Sequence, residues 1–209
     1  MLPPFFYFHD YCEIIDKKKI FQLRCFCLSA TVIPHSTFKT SGGIISRMQT
    51  ARGIFLHGLD SCSQGTKGRF FETNFPHIVR PDFDGDLEER LQNLEQMCAQ
   101  KNNLTFIGTS FGGLMATCFA LKYRQRVSRL ILLAPALNYG EYRVPEVKLT
   151  IPTILVIGHH DTVTPPDLVI PLAEKTFSNL EIRIKDDDHM LHNSFKQLDW
   201  EMLIGKKLN

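Results

Sequence analysis

Leu104-Thr105-Phe106-Ile107-Gly108-Thr109-Ser110-Phe111-Gly112-Gly113-Leu114-Met115 is the stretch on which the fold turns. Leu104–Gly108 has the length and apolar content of a buried strand, and Phe111–Tyr123 reads as a helix, so Ser110 falls on a sharp strand-to-helix turn. A serine there must take a strained backbone conformation while neighbouring chains crowd its flanks. Glycines at 108 and 112 remove the side chains that would clash. The turn would hold Ser110 Oγ above the carboxyl edge of a sheet, at a helix N-terminus whose amides and dipole favour developing negative charge. That is where an acyl-transfer nucleophile is wanted. G-T-S-F-G alone is a pattern that ordinary Gly and Ser frequencies often produce. The strand before it and the helix after it give it weight.

Working outward, the chain from Arg52 alternates two textures. Strand-length β-branched or aromatic runs are Gly53–Leu56, His77–Arg80, Leu104–Gly108, Val127–Leu133, Thr153–Gly158 and Leu180–Lys185. Helix-length stretches lie between them at Thr66–Asn74, Leu87–Asn102, Phe111–Tyr123 and Asp167–Phe177, with a last one after His192. In Leu87–Asn102 the residues Leu87, Leu91, Leu94 and Cys98 form one apolar stripe, which leaves Glu88, Glu89, Arg90 and Glu95 facing water. Strands alternating with such helices predict an α/β fold: a mostly parallel sheet of about six core strands flanked by helices. Nothing repeats at a solenoid period.

A serine hydroxyl needs a base, and the base needs an orienting acid, both close in the fold but distant in sequence. The loop His159-His160-Asp161-Thr162-Val163-Thr164-Pro165-Pro166 leaves the carboxyl end of the strand Thr153–Gly158, so Asp161 fits the acid. After Leu180–Lys185 comes Asp186-Asp187-Asp188-His189-Met190, and His189 fits the base. His192 is its competitor. A final helix beginning near Met190 would enclose His192 and leave His189 in the loop. The alternative for Asp161 is a helix cap ahead of Pro165, a part for which Thr164 and Asp167 are also candidates. His159 and His160 are candidates to line the pocket or to be surface imidazoles, and Asp187 and Asp188 to tune His189 or simply to form a loop. The oxyanion requires two backbone donors. One is the Phe111 amide, and the other is the Leu59 amide in Phe55-Leu56-His57-Gly58-Leu59-Asp60-Ser61, where Gly58 allows a sharp turn.

His57-Gly58, Gly108-Thr109-Ser110-Phe111-Gly112, Val156-Ile157-Gly158-His159-His160-Asp161 and Asp188-His189 together resemble the α/β-hydrolase superfamily over roughly residues 50–205. Within it the chain most resembles small bacterial serine esterases of the YqiA type (UPF0227-like). The resemblance implies an ester or thioester hydrolase with a Ser110-His189-Asp161 triad and no cofactor, and the short Ala136–Thr150 excursion favours small or accessible acyl substrates. Two departures stand out. The pair of leading strands is not evident unless residues 1–47 supply it, and only Ala136–Thr150 occupies the place where many relatives insert a lid. An open site with little or no lid is therefore expected. The alternative from another class is a non-catalytic binding or interaction protein on the same fold.

Composition narrows the remaining choices. The 209 residues are 44% hydrophobic and 22% charged with a net charge of +2, which excludes collagen-like, low-complexity and fully disordered chains. Residues 1–47 hold six Lys/Arg against three acids, so the mild basicity lies there, and residues 48–209 stand at −1. A nucleic-acid footprint is not expected. The expected division is therefore an N-terminal extension over 1–47, poorly ordered or dispensable, and a hydrolase domain over 48–209. An edge hairpin, a targeting or interaction arm, and a translated upstream region that the working protein does not need are the readings of the extension. Met48, directly before the first core strand, favours the last.

Six scattered cysteines without paired spacing read as reduced thiols, and Cys25-x-Cys27 lacks the second half of a zinc site. Asp82, Asp84, Asp86, Glu88 and Glu89 form an acidic run with two readings, a hard-cation site or a solvated helix entry. No metal is expected. Lys17-Lys18-Lys19 precedes the apolar Ile20–Ile33, but Arg24 interrupts that stretch, and no run approaches the roughly 18 apolar residues of a membrane span. A cytoplasmic location is expected. A dinucleotide fingerprint is absent, and no G-K-[ST] phosphate loop occurs.

Overall fold

The computed structural model describes residues 52–205, so the expected 1–47 extension lies outside the described residues. Five strands form one sheet in the order β1 (Arg52–Leu56), β2 (Leu104–Thr109), β3 (Val127–Leu133), β4 (Thr153–Gly158) and β5 (Leu180–Lys185). Every neighbouring pair is parallel. The α/β architecture expected from the alternation of patterns is therefore the one that forms.

Period-two alternation sorts the strand side chains between two cores. Ile54, Leu56, Phe106, Leu130, Leu132, Leu155 and Ile157 enter one cluster, while Phe55, Ile107, Ile131, Leu133 and Val156 enter the other. On the first face lie α2 (Leu87–Met97), α3 (Phe111–Lys122) and α4 (Pro166–Thr176), through Leu94, Phe119 and Val169. On the second lie α1 (Thr66–Asn74), through Phe71, and α5 (Trp200–Ile204), through Trp200 and Leu203. Helix α3 buries nine of its twelve residues, as a helix apolar on all sides must. It lies beneath the sheet with Ser110 at its N-cap.

Four local expectations need correcting. His77–Arg80 is not a sixth strand: only Val79 bridges Ile54, through Phe55 N–H to Val79 O at 2.8 Å and Val79 N–H to Gly53 O at 3.0 Å. Pro76 and Pro81 bracket the segment and leave no room for a ladder. Helix α2 stops at Met97 rather than Asn102, because Ala99 and Lys101 donate into tight turns and Asn103 takes a φ of 56°. The final helix lies after His192 as expected, but it is α5, beginning at Trp200 rather than near Met190, with a 3-10 turn at Phe195–Gln197 before it. The Asp187 carboxylate captures the Asn193 and Ser194 amides, and Leu191 has a φ of 52°, so the chain cannot begin a helix near Met190. The fourth correction concerns Arg90. It was expected to face water, but it is only 4% exposed.

Candidate active site

The turn at residue 110 is as tight as the glycines implied. Ser110 takes φ 52° and ψ −117°, a region that costs a non-glycine residue on the order of 1–3 kcal/mol. The surroundings hold it there. Its amide donates to Leu133 O at 2.9 Å, and its carbonyl accepts from Gly113, Leu114 and Ala136 N–H. A Cβ on Gly108 would stand 2.5 Å from Gly112 O, and one on Gly112 would stand 2.1 Å from Leu56 O. Any side chain at either position would push β1 or the helix away from the serine.

Around Ser110 the carboxyl ends of β4 and β5 deliver Asp161 and His189. Ser110 Oγ lies 3.1 Å from His189 Nε2, and His189 Nδ1 lies 2.8 Å from Asp161 Oδ2. A carboxylate only accepts, so Nδ1 carries the proton toward Asp161, and the neutral ring's Nε2 is left to accept from the serine hydroxyl. Asp161 has no solvent-exposed side-chain surface, yet all its demands are met. Oδ1 accepts from the Val163 and Thr164 amides at 2.9 and 2.7 Å, and Oδ2 accepts from Thr164 Oγ1 at 2.6 Å as well as from His189.

Thr164 is the residue in this set that sequence reasoning placed elsewhere. Proposed as a possible helix cap, its hydroxyl instead serves Asp161, since Pro165 occupies the N-cap of α4. The same oxygen is 3.2 Å from His189 Nδ1. The His189 loop is organised by Asp187, which accepts from the amides of Asp188, Asn193 and Ser194. Burial pushes the Asp187 carboxyl up, but the Ser194 amide and hydroxyl and the other amides outweigh this and hold it below its ordinary value. Gly158, at the end of β4, lets this loop approach: a Cβ there would meet the Asp187 and Asp188 carbonyls at 2.4 Å.

The competing imidazoles go elsewhere. His192 is exposed in a turn and pairs with Asp188 at 2.8 Å, and His160 pairs with Asp186 at the surface. His159 is exposed and packs edge-on against His160. The acidic run is used for helix entry: Asp86 and Glu89 form a capping box for α2, and Asp82 binds the Ser63 amide and hydroxyl.

His57 and Gly58 stand beside the serine. A Cβ on Gly58 would lie 3.5 Å from Ser110 Cβ, so the Leu59 loop borders the turn. Neither the Leu59 nor the Phe111 amide donates to an acceptor among the described residues. His57 is 2% exposed and makes two hydrogen bonds, Nδ1 to Gly58 O at 2.7 Å and Nε2 to Phe83 N at 3.0 Å. The Phe83 amide can only donate, so Nε2 accepts and Nδ1–H donates. Burial then lowers the His57 pKa below 6.5, outweighing the Gly58 carbonyl. His57 is thus a neutral tie between the Leu59 loop and the segment at Phe83.

A family model described as serine aminopeptidase, S33, within a Hydrolase_4 domain, matches residues 50–149. The monoacylglycerol lipase of Paleococcus ferrophilus superposes with a TM-score of 0.57 at 14% identity, covering 75% of this chain and 96% of the lipase. The chain therefore shares the α/β-hydrolase fold. An esterase of Exiguobacterium antarcticum shares the hydrolase fold equally well, with a TM-score of 0.58 at 14% identity over 74% of this chain and 91% of the esterase. Among curated proteins, abhydrolase domain-containing protein abhd-5.2 of Caenorhabditis elegans is 42% identical over 67 residues. That segment is 29% of this chain and spans 15% of the nematode protein.

Proposed function

We propose that this chain is a serine hydrolase in which Ser110 attacks an acyl carbonyl, His189 takes and returns the proton, and Asp161 orients the imidazole. The observation that carries the reading is the unbroken hydrogen-bonded line from Ser110 Oγ through His189 to a buried, fully satisfied Asp161. In acylation the Ser110 oxygen bonds to the carbonyl carbon while its proton passes to Nε2, and the oxyanion is met by the Leu59 and Phe111 amides. Collapse expels the leaving group, which takes the proton from Nε2. Water then repeats both steps on the acyl-enzyme and restores the serine.

Esters and thioesters of small or accessible acyl groups suit the site. Between β3 and β4 the chain has no helix or strand, so nothing in that connection forms a helical lid. The resemblance of the motifs to small bacterial esterases supports the ester side, and the family model's aminopeptidase name makes aminoacyl amides the third class to try. A cytoplasmic location suits the scattered cysteines without paired spacing, and no helix among the described residues is long and apolar enough to cross a membrane.

A fluorophosphonate probe tests the reading directly, because only an activated serine is phosphonylated. The wild type is expected to label at Ser110 and to cleave members of a panel of p-nitrophenyl esters, acyl-CoAs and aminoacyl amides. Ser110→Ala should lose labelling and about 10⁴ or more of turnover with an unchanged melting temperature. Full activity in that variant would refute the assignment, and an unlabelled wild type would favour a binding protein.

A further inference from the structure

Arg90 is a buried cation that the chemistry above does not use. Its Nε donates to Gly85 O at 2.9 Å and its Nη2 to Leu59 O at 3.2 Å, while Nη1 reaches Gly58 O more loosely at 3.5 Å. On another side the guanidinium carbon sits 5.4 Å from the centre of the Phe111 ring. These contacts are unusual in combination. Leu59 and Phe111 are the two residues whose amides are assigned to the oxyanion, and one side chain from α2 touches both segments.

Peptide geometry gives the contacts a direction. Across a trans peptide the carbonyl of one residue and the amide of the next point opposite ways. The Gly58 carbonyl is drawn toward His57 Nδ1–H and Arg90, so the Leu59 N–H on the same plane is turned away from both. Gly58 itself borders Ser110. We propose that Arg90 is a positioning residue for the oxyanion site, fixing the Leu59 amide through the Gly58 and Leu59 carbonyls and the Phe111 segment through its ring. A lysine could not reproduce this, because one ammonium cannot present a planar fork to carbonyls from two loops and a flat face to an aromatic ring. Asp84 and Asp60 offset the buried charge, while burial lowers the Arg90 pKa from its ordinary value.

The inference rests on the serine-hydrolase reading, and the test separates the two. Wild type, Arg90→Lys and Arg90→Gln are titrated with the fluorophosphonate, so that rates refer to active serines rather than to folded fraction. Each is then assayed with p-nitrophenyl acetate and with an alkyl trifluoromethyl ketone, which adds to Ser110 as a tetrahedral oxyanion. Arg90→Gln should lower kcat per titrated site about 10- to 100-fold and weaken the ketone in proportion, with KM within about threefold. Arg90→Lys should fall between it and the wild type. Unchanged kcat and ketone affinity per titrated site would overturn the proposal while leaving the hydrolase intact, as would a rise in KM alone. Variants that yield no titratable serine would assign Arg90 to folding and overturn it too. A wild type that fails to label would remove the hydrolase reading and this one together.

Discussion

The two edges of the sheet make opposite use of their backbone. At the carboxyl edge the chain holds strained residues, Ser110 and Ala134, at positive φ, and the buried acid Asp161 accepts four hydrogen bonds. At the amino edge, Arg129, Thr153, Leu180, Glu181 and Arg183 line a groove of about 360 Å³ that contains none of these features. The groove at the amino edge is therefore not the candidate site. In parallel α/β sheets, reactive groups gather where strands end and loops can be aimed, and here strain and a saturated acid mark the place.

The largest test of this contrast pairs one acid from each edge. Asp161→Asn should lower kcat by about 10³- to 10⁴-fold, because an amide group facing Nδ1 selects the wrong imidazole tautomer. Glu181→Gln in the groove should stay within about twofold of wild type. Steady-state assays on p-nitrophenyl esters decide it, and the reverse ranking would place the chemistry at the amino edge.

Stability offers the next test. Gly112→Ala should cost about 3 kcal/mol in urea unfolding, since its methyl would collide with the β1 backbone that supports the serine turn. Gly140→Ala meets nothing within 4 Å and should change stability by less than about 0.5 kcal/mol. Equal losses would mean that the turn is not the crowded point.

Protonation gives the smallest effect. Buried His57 is held neutral below pH 6.5 in the folded chain but titrates at its ordinary value when unfolded. Its contribution is therefore complete above pH 6.5 and declines as pH falls through 6.5 toward the lower folded value. His57→Gln, which can still accept from Phe83 and donate to Gly58, should flatten that decline in unfolding free energy measured between about pH 5 and 7. Asp187, held below its ordinary 3.8, loses its contribution only in more acidic solution, so it does not confuse this window.

The meeting of Ser110, Asp161 and His189 at one rim was legible because each announces itself locally, on a loop that directly follows a strand. Side chains that serve a loop distant in sequence were not. Helical periodicity put Arg90 on the water-facing side of α2, and no pattern within α2 can show that carbonyls from residues 58 and 59 wait there. Thr164 was noticed for the right chemistry, a hydroxyl near a helix start, but its partner proved to be the acid rather than an amide. His77–Arg80 failed as a strand for a reason visible in the sequence, the prolines on either side, which outweigh its β-branched character.

The approach of Gly158 to the Asp187 and Asp188 carbonyls has a consequence for how the pair after the serine keeps its spacing. Because Asp161 leaves β4 three residues beyond that glycine and His189 follows those carbonyls, main chain rests against main chain between them. The glycine acts as a gauge block. It sets the gap between Asp161 and His189 before either side chain selects a rotamer, so a methyl at 158 would detune the proposed proton relay without altering any group assigned to carry a proton.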